Sequence, residues 1–211
     1  MFHFKNGDLI NNYTRYYFRI EPIQWKIIKK DSDRFFVTSY CILDNQPYHD
    51  SFTKEAHEDG TYDNNYKNSQ IRHWLNDYFY STAFEDNTKI SKTFVDNMTG
   101  DKYACENTYD NIFLLSKNEI NENNINKCSS TDYVRAKING APYDEDYFNG
   151  YALYITRTPC RGPYYPDIYF VTSRGSLTHL IITPDYAYRW GLTLTSSVGI
   201  RPTLNFALNN F

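Results

Sequence analysis

The polar stretch between residues 44 and 68 concentrates side chains that commonly hold metal ions. It contains two histidines and four carboxylates: His49, Asp50, Glu55, His57, Glu58 and Asp59. Transition metals require ligands fixed in converging positions, whereas a stretch rich in Asp, Asn, His and Gly is typical of a loop. We therefore interpret it as an exposed, solvated loop, and a metal site is the alternative.

A second acidic group, Asp144-Glu145-Asp146, carries oxygen ligands of the kind that Ca²⁺ prefers. The spacing of an EF-hand loop is absent, so a charged turn is the simpler interpretation and calcium binding the alternative. We predict neither a metal nor a cofactor.

The nucleophilic side chains lack the neighbours that would activate them. The cysteines are Cys41, Cys105, Cys128 and Cys160, with no Cys-x-x-Cys pair of the zinc or redox type. Arg161 follows Cys160, and a nearby cation is one of the groups that can activate a thiol, but no histidine stands beside Cys160 in the sequence. Nucleophile-elbow and phosphate-loop patterns are also absent. We predict no catalytic residue and reduced, mostly buried thiols; a Cys105–Cys128 disulfide is the alternative for an exported protein.

Aromatic side chains late in the chain suit recognition rather than catalysis. The candidate ligand-binding residues are Tyr164, Tyr165, Asp167, His179, Asp185, Tyr186, Tyr188, Arg189 and Trp190. Nearby prolines at 163, 166 and 184 stiffen the loops that would carry them, and rigid aromatic rings are good anchors for a partner. Ordinary packing at strand edges is the alternative.

Three arginines, Arg72, Arg157 and Arg201, lie within or next to segments that we predict to be a helix or strands. Because an unpaired buried charge is costly, we expect carboxylates or carbonyls to fix their guanidinium groups. Pro202 also restrains the residue before it to an extended conformation. A structural role is favoured over ligand binding.

The elements that must position these residues begin with strands. Residues 23–30 alternate apolar and polar, and with residues 34–41 they predict a hairpin closed by Asp31-Ser32-Asp33. After Gly150, short apolar runs separated by Gly, Pro and Thr predict several more strands at 151–156, 168–172, 177–182, 190–195 and 198–208.

The strongest helix signal lies between residues 69 and 84. One apolar face is formed by Ile71, Trp74, Leu75, Tyr78 and Phe79, and the opposite face by Arg72, His73, Asn76 and Asp77. A second helix is predicted after Ser116, because Ser116 and Glu119 have capping-box spacing. The run 112–115 before it predicts a short buried strand, and a further helical turn is predicted near residue 129. Strands, then helices, then strands indicate an α+β fold.

Composition limits the functional classes. The chain has 211 residues, which suits a single domain over 1–211. A net charge of −3 argues against general nucleic-acid binding, and no apolar run is long enough for membrane insertion. The start lacks a secretory signal, so a cytoplasmic or phage-associated location is the default. Aromatic residues make up 18% of the chain, 21 of them tyrosines; a recognition surface and AT-rich codon bias both account for this.

Several short motifs occur in a definite order along the chain. They are Ile23-Gln24-Trp25, Leu43-Asp44, Ser69-Gln70-Ile71-Arg72-His73-Trp74-Leu75-Asn76, Ala83-Phe84, Phe113-Leu114-Leu115-Ser116 with Glu119, Thr156-Arg157-Thr158-Pro159, and Gly199-Ile200-Arg201-Pro202-Thr203-Leu204. Together they resemble a bacterial family known only as domain of unknown function 6273, across about residues 23–204. The family usually has Trp-Trp where this chain has Tyr154-Ile155. The expected framework residues are Trp25, Arg72, Trp74, Asn76, Arg157, Gly199, Arg201 and Pro202.

This family is in turn similar to C-type-lectin-like proteins, including formylglycine-generating enzymes and the variable proteins of diversity-generating retroelements. The resemblance implies two main helices packed on short, mostly antiparallel sheets, with a binding surface in the C-terminal region. The expected function is recognition of a protein or glycan through the aromatic loops, without catalysis. Alternatives are a structural subunit of a phage or surface assembly, and a lectin-fold oxidoreductase-like enzyme that would need a reactive thiol.

Overall fold

The computed structural model describes residues 3–49, 55–98, 103–137, 152–161, 166–180 and 198–208. Its first regular element is the predicted hairpin of β1 (Trp25–Lys30) and β2 (Arg34–Ser39), which pair antiparallel with a bulge between Ile27 and Lys29. β1 lies at a sheet edge and is largely exposed, whereas β2 ends in buried residues.

The N-terminal hairpin and the C-terminal strand share one sheet. The last strand, β11 (Thr203–Ala207), pairs antiparallel with β2 on one side and with the short β6 (Ile112–Phe113) on the other. The order of this four-stranded sheet is therefore β1-β2-β11-β6. A separate two-stranded sheet pairs β4 (Thr93–Val95) with β5 (Thr108–Asp110).

A five-stranded sheet carries most of the C-terminal half. Its members are β3 (Asp44–Gln46), β7 (Tyr154–Arg161), β8 (Pro166–Val171), β9 (Leu177–Leu180) and β10 (Val198–Ile200), in the order β3-β10-β7-β8-β9. All neighbours pair antiparallel except β10 and β7, which are parallel. The fold is thus α+β, with small, mostly antiparallel sheets. Residues 190–195, predicted as a strand, lie outside the described residues.

The helix predicted between residues 69 and 84 is present, but its middle turn is a π-helix. It consists of α1 (Gln70–Trp74), the π-helical turn Leu75–Phe79 and α2 (Tyr80–Thr82). The predicted N-cap is confirmed, because the Ser69 hydroxyl accepts a hydrogen bond from the Arg72 backbone N–H at 3.3 Å.

The wider π-turn changes which residues face the core. A π-helix bonds residues five apart, and the buried residues Ile71, Leu75 and Phe79 are four apart rather than at mixed spacings of three and four. Tyr78 was predicted on the apolar face, but its side chain is 62% exposed. Arg72 and Asn76, predicted on the face opposite the apolar one, are half-buried.

The second helix, α3 (Lys117–Asn123), begins as the sequence predicts. Ser116 accepts a hydrogen bond from the Glu119 N–H, and the Glu119 carboxylate accepts one from the Ser116 N–H, which completes the capping box. The helix ends at Asn124, which is in the left-handed conformation with φ 49°. The predicted turn after residue 129 is α4 (Asp132–Lys137).

The stretch 44–68 was predicted to be an exposed loop, and this is wrong for a good part of it. It contains β3, and Tyr48, Asn64 and Tyr66 are fully buried. The buried rings of Tyr48 and Tyr66 supply apolar surface that favours burial of this stretch. The many polar residues around them led to the prediction of an exposed loop. This stretch therefore contributes to the core and is available to support other elements.

Buried side chains form two clusters. The larger joins the first helix to both main sheets and includes Val37, Ile71, Leu75, Ile112, Ile155, Ile168, Ile200 and Leu204. The smaller packs α3 and α4 against β7 and β8 and includes Ile42, Leu115, Ile120, Val134, Tyr154 and Val171. Among the described residues, no helix combines the length and apolar character that crossing a membrane requires.

Candidate functional site

At one end of the five-stranded sheet, strands β7 and β9 end and strand β8 begins. Arg161 at the end of β7 pairs with Pro166 at the start of β8, and Leu180 at the end of β9 pairs with Ile168. Residues 162–165 connect β7 to β8, and residues 181–197 follow β9. Both segments that hold the predicted aromatic residues therefore leave the sheet from one end, which we call the loop end (around Cys160, Ile168 and Leu180).

The structure separates the candidate ligand-binding residues into three groups. Asp167 belongs to β8 and is fully buried, so its carboxylate is not presented at the surface. His179 lies in β9, opposite Tyr169. The other candidates, Tyr164, Tyr165, Asp185, Tyr186, Tyr188, Arg189 and Trp190, lie outside the described residues.

A buried asparagine holds the loop end together. The side-chain amide of Asn64 donates to the backbone carbonyls of Cys160 at 3.2 Å and of Asp167 at 2.8 Å. These two residues are directly paired across β7 and β8, so Asn64 joins the strands beside their connection. The 44–68 stretch thereby holds the two strand ends that residues 162–165 connect.

We expect Asn64→Ala to destabilise the chain by about 1–3 kcal/mol, because it removes two buried hydrogen bonds from the Asn64 amide to backbone carbonyls. Urea unfolding measures this loss. Asn121→Ala is the control, since Asn121 is exposed on α3 and its replacement should change stability by less than about 0.5 kcal/mol. Equal effects of the two substitutions would contradict the role given to Asn64.

A cavity of about 530 Å³ opens beside the loop end, between the start of α3 and strands β7 and β8. Its lining includes Thr158, Pro159 and Cys160 from β7 and Tyr169 from β8. Other lining residues are Asp96, Asn97, Met98, Ser116, Lys117, Asn118, Glu119 and Arg157. This volume falls within the range of about 300–1,000 Å³ typical of small-molecule sites.

One wall of the cavity is formed by an ion pair between the buried Arg157 and the partly exposed Glu119. The Arg157 guanidinium, 4% exposed as a residue, donates to both carboxylate oxygens of Glu119, at 2.6 and 3.1 Å. It also donates to the backbone carbonyls of Leu114 and Asp96. Because its terminal nitrogens are engaged by the protein, Arg157 ties α3, β7 and the segment after β4 together.

Arg72 and Asn76 also connect parts of the chain that are distant in sequence. The Arg72 guanidinium donates to the buried Asp110 carboxylate, at 2.8 Å from Nε and 2.6 Å from Nη2. The Asn76 amide donates to the Ile112 carbonyl and accepts from the Asn111 N–H. Both anchor the first helix to the β5–β6 junction.

Arg201 is buried on carbonyl and hydroxyl oxygens. It donates to the carbonyls of Ser39 and Ile125, at 3.1 and 2.8 Å, and to the Tyr154 hydroxyl at 3.2 Å. The carbonyl of Pro202, the next residue, accepts from the Ser39 N–H. These bonds connect β2, β7 and the segment after α3 at one point.

Burial raises the pKa of Tyr154 to about 12, although the Arg201 charge and hydrogen bond act in the opposite direction. Burial likewise raises the pKa values of Tyr48 and Tyr66 above the ordinary value. In the unfolded chain these phenols ionise near 10, so the folded state holds its protons to higher pH. Their contribution to stability is complete below pH 10 and is lost as pH rises.

We therefore expect the unfolding free energy to fall between pH 10 and 12, the interval between the ordinary and folded pKa of Tyr154. Tyr154 alone accounts for a slope of up to about 1.4 kcal/mol per pH unit. Urea unfolding across this range measures it, and Tyr154→Phe should show a shallower slope. Parallel pH profiles for the two proteins would contradict this.

The remaining reactive side chains do not converge. All four cysteines are free thiols, so the alternative Cys105–Cys128 disulfide is not formed; Cys160 is buried, at 7% exposure. His57 contacts the Asp63 carboxylate at 2.7 Å. No group of three metal-binding side chains occurs within the described ranges, and Asp144, Glu145 and Asp146 lie outside them.

Several residues of this site were not identified from the sequence. Asn64, Asn97 and Tyr169 stand in no motif that indicates their position. Glu119 was found as a capping residue, but its second partner, Arg157, is 38 residues away. Glu119 and Arg157 thus belong to two separate sequence motifs and form one ion pair. The signal in the sequence that could have indicated this pair is the opposite charge of the two residues.

The family model described as domain of unknown function (DUF6273) matches residues 26–208. This range includes every strand except the first residue of β1, and all of the cavity. No curated protein matches the chain, and no solved structure matches it.

Proposed function

We propose a recognition function for this chain, which belongs to the family described as domain of unknown function (DUF6273). In this proposal the chain binds a protein or a glycan at the loop end, through the aromatic residues of segments 162–165 and 181–197. The observation that carries the proposal is the common departure of both segments from the adjacent ends of β7, β8 and β9.

The framework around that end supports the proposal. Asn64 joins β7 to β8, and Arg157 joins β7 to α3. A binding surface gains affinity when its supports are ordered before the partner arrives, since less entropy is then lost on association. Here buried polar contacts order the framework, and the segments attached to it contain the aromatic side chains that would contact the partner.

We also propose that the architecture is C-type-lectin-like. Its support is the combination of helices packed on small, mostly antiparallel sheets with C-terminal segments that leave one sheet end. In this arrangement, variation of the two segments would alter the partner while the motif residues keep the fold.

Replacing Tyr186, Tyr188 and Trp190 together with Ala tests the proposal. The purified chain is applied to a glycan array and a protein array, and the affinity of each selected partner is measured by titration calorimetry. We expect the triple variant to lose binding while its melting temperature stays within about 2 °C of the parent, because in this proposal the three rings serve as anchors for the partner.

A matched control removes the same number of rings elsewhere. Tyr13, Tyr17 and Tyr109 are 106%, 84% and 62% exposed and lie outside the loop end. Their joint replacement with Ala should leave the affinity unchanged. Retained binding in the Tyr186, Tyr188 and Trp190 variant would contradict the proposed location of the binding surface.

A further inference from the structure

The segment of residues 13–20, which we call the N-terminal arm, presents aromatic rings and cations to solvent. Tyr13 and Tyr17 are 106% and 84% exposed, and Arg15 and Arg19, each two residues further along, are exposed as well. Ring and cation therefore alternate at every second position of the arm. The arm precedes the residues that the family model matches and contributes to none of the strands at the loop end.

Other rings of the arm attach it to the rest of the chain. The Tyr16 ring packs edge-to-face on Phe4, with 5.0 Å between the ring centres, and the Phe18 ring packs in the same way on Tyr133 of α4 at 5.8 Å. The Tyr16 hydroxyl also accepts a hydrogen bond from the Asn11 N–H at 2.7 Å. These contacts order the arm before a partner arrives, which reduces the entropy lost on association.

The two arginines of the arm have no partner within the part of the chain that the structure describes. Neither guanidinium makes a hydrogen bond or an ion pair there. Five basic residues and one acidic residue occur between residues 9 and 30, whereas the whole chain has 22 basic and 25 acidic residues. Positive charge is thus concentrated at this part of an acidic protein, so its charge is complementary to that of an anionic partner.

We propose that the N-terminal arm binds single-stranded nucleic acid. Each nucleotide of a single strand carries one phosphate and one base whose faces are open to stacking. The arm repeats the matching pair of groups, because a cation suited to a phosphate follows each exposed ring. An acidic peptide or an anionic membrane supplies negative charge but no repeated flat partner for the rings, and a duplex keeps its bases stacked on one another.

The charge of the whole chain limits this contact to a local one. A net charge of −3 argues against general nucleic-acid binding, so only the phosphates next to the arm are attracted. Two arginines neutralise two phosphates, and each phosphate of a single strand contributes a slope of about −0.7 to the dependence of log K on log salt concentration. The expected slope is therefore about −1.4.

Fluorescence anisotropy of the full chain with a labelled oligothymidylate and the matching oligouridylate tests the proposal, and the two probes distinguish DNA from RNA. The comparators are the oligothymidylate paired with oligoadenylate, a polyglutamate peptide and vesicles that contain phosphatidylserine. We expect at least one single strand to bind more tightly than every comparator. Tighter binding of any comparator, or no binding of either single strand at low salt, would overturn the proposal.

Substitutions in the arm identify the groups in contact. Tyr17→Ala should weaken single-strand binding about fivefold or more, the effect of losing one stacked base. Arg15→Gln should make the salt slope shallower by about 0.7. The matched controls, Tyr109→Ala and Arg174→Gln, replace exposed residues outside the arm and should change neither quantity.

The arm variants should also keep the melting temperature of the parent, because Tyr17 and Arg15 make no ring contact or hydrogen bond with the described residues. A failure to fold therefore does not obscure the result. Parent-like affinity and salt slope in both arm variants would contradict the proposal.

The outcomes separate this inference from the proposed function, on which it does not depend. Joint replacement of Tyr186, Tyr188 and Trp190 should leave oligonucleotide binding unchanged. Tyr17→Ala should likewise leave unchanged the binding of a partner selected on the arrays. Loss of oligonucleotide binding in the Tyr186, Tyr188 and Trp190 variant would assign the nucleic acid to those residues and overturn the role of the arm.

Discussion

Gly199→Ala should strongly destabilise the folded chain. A Cβ atom at this position would lie 2.2 Å from the backbone carbonyl oxygen of Leu153 and 3.1 Å from two methyl carbons of Ile42. Gly199 is where β10 runs parallel to β7, opposite Tyr154, and Ile42 is fully buried. Backbone atoms cannot turn away as a flexible side chain can, so the two strands would have to separate.

The expected loss is at least about 3 kcal/mol, the upper part of the range for overpacked interiors. For a chain of this length that corresponds to a melting temperature lower by roughly 6–12 °C. Differential scanning calorimetry measures it. Gly60→Ala is the comparison, because Gly60 has φ 78° with open space around it and should cost only about 1–2 kcal/mol of backbone strain. A melting temperature for Gly199→Ala equal to that of the parent would refute the close approach of β10 to β7.

Arg201→Ala should lower the melting temperature by several degrees without a direct effect on binding. The substitution removes hydrogen bonds to two carbonyls and one hydroxyl in the interior, and bonds from a charged donor contribute about 1.5–3 kcal/mol each before compensation. The Ile125 carbonyl keeps one donor, the Tyr154 hydroxyl, so we expect a net loss of about 3 kcal/mol. That amounts to roughly 6–12 °C.

Arg34→Ala is the matched control, since Arg34 is an exposed arginine whose ion pairs lie at the surface. Surface pairs contribute about 0–1 kcal/mol, so the melting temperature should move little. An unchanged melting temperature for Arg201→Ala combined with lost partner binding would reverse the assignment and make Arg201 a ligand-binding residue.

Local sequence signals predict the elements that depend on neighbouring residues. The hairpin of β1 and β2 follows from alternation and a turn of Asp and Ser, and the start of α3 from the Ser116–Glu119 capping box. In both cases the stabilising contacts join residues that are close in sequence. A short sequence pattern therefore includes all of the residues that determine the element. The α+β class follows from the order of such elements.

Contacts between distant residues are where local patterns fail. The π-helical turn at Leu75–Phe79 places Tyr78 toward solvent. The residue types in that helix do not predict the π-helical turn. Asn64 reaches carbonyls 96 and 103 residues away, which its polar neighbourhood conceals. The described lining of the cavity comes from four separate stretches of chain, so none of them alone indicates a site.

The sequence motifs indicate which residues are important to the fold but not which residues they contact. The expectation that Arg157 and Arg201 would be held by carboxylates or carbonyls rests on the cost of burying a charge, and the structure supplies a carboxylate for one and carbonyls for the other. The motif alone identifies Gly199 as a framework residue. The physical reason that glycine is needed there is the close approach of the Leu153 carbonyl, which depends on how two strands pack together.

The central claim is that recognition occurs at the loop end while the motif residues hold the fold. Hydrogen–deuterium exchange of the chain, with and without the partner selected on the arrays, tests it most directly. We predict slower exchange on binding in residues 158–170 and 181–197 and no change in the β1–β2 hairpin. Protection confined to the hairpin, with the loop end unchanged, would contradict the account.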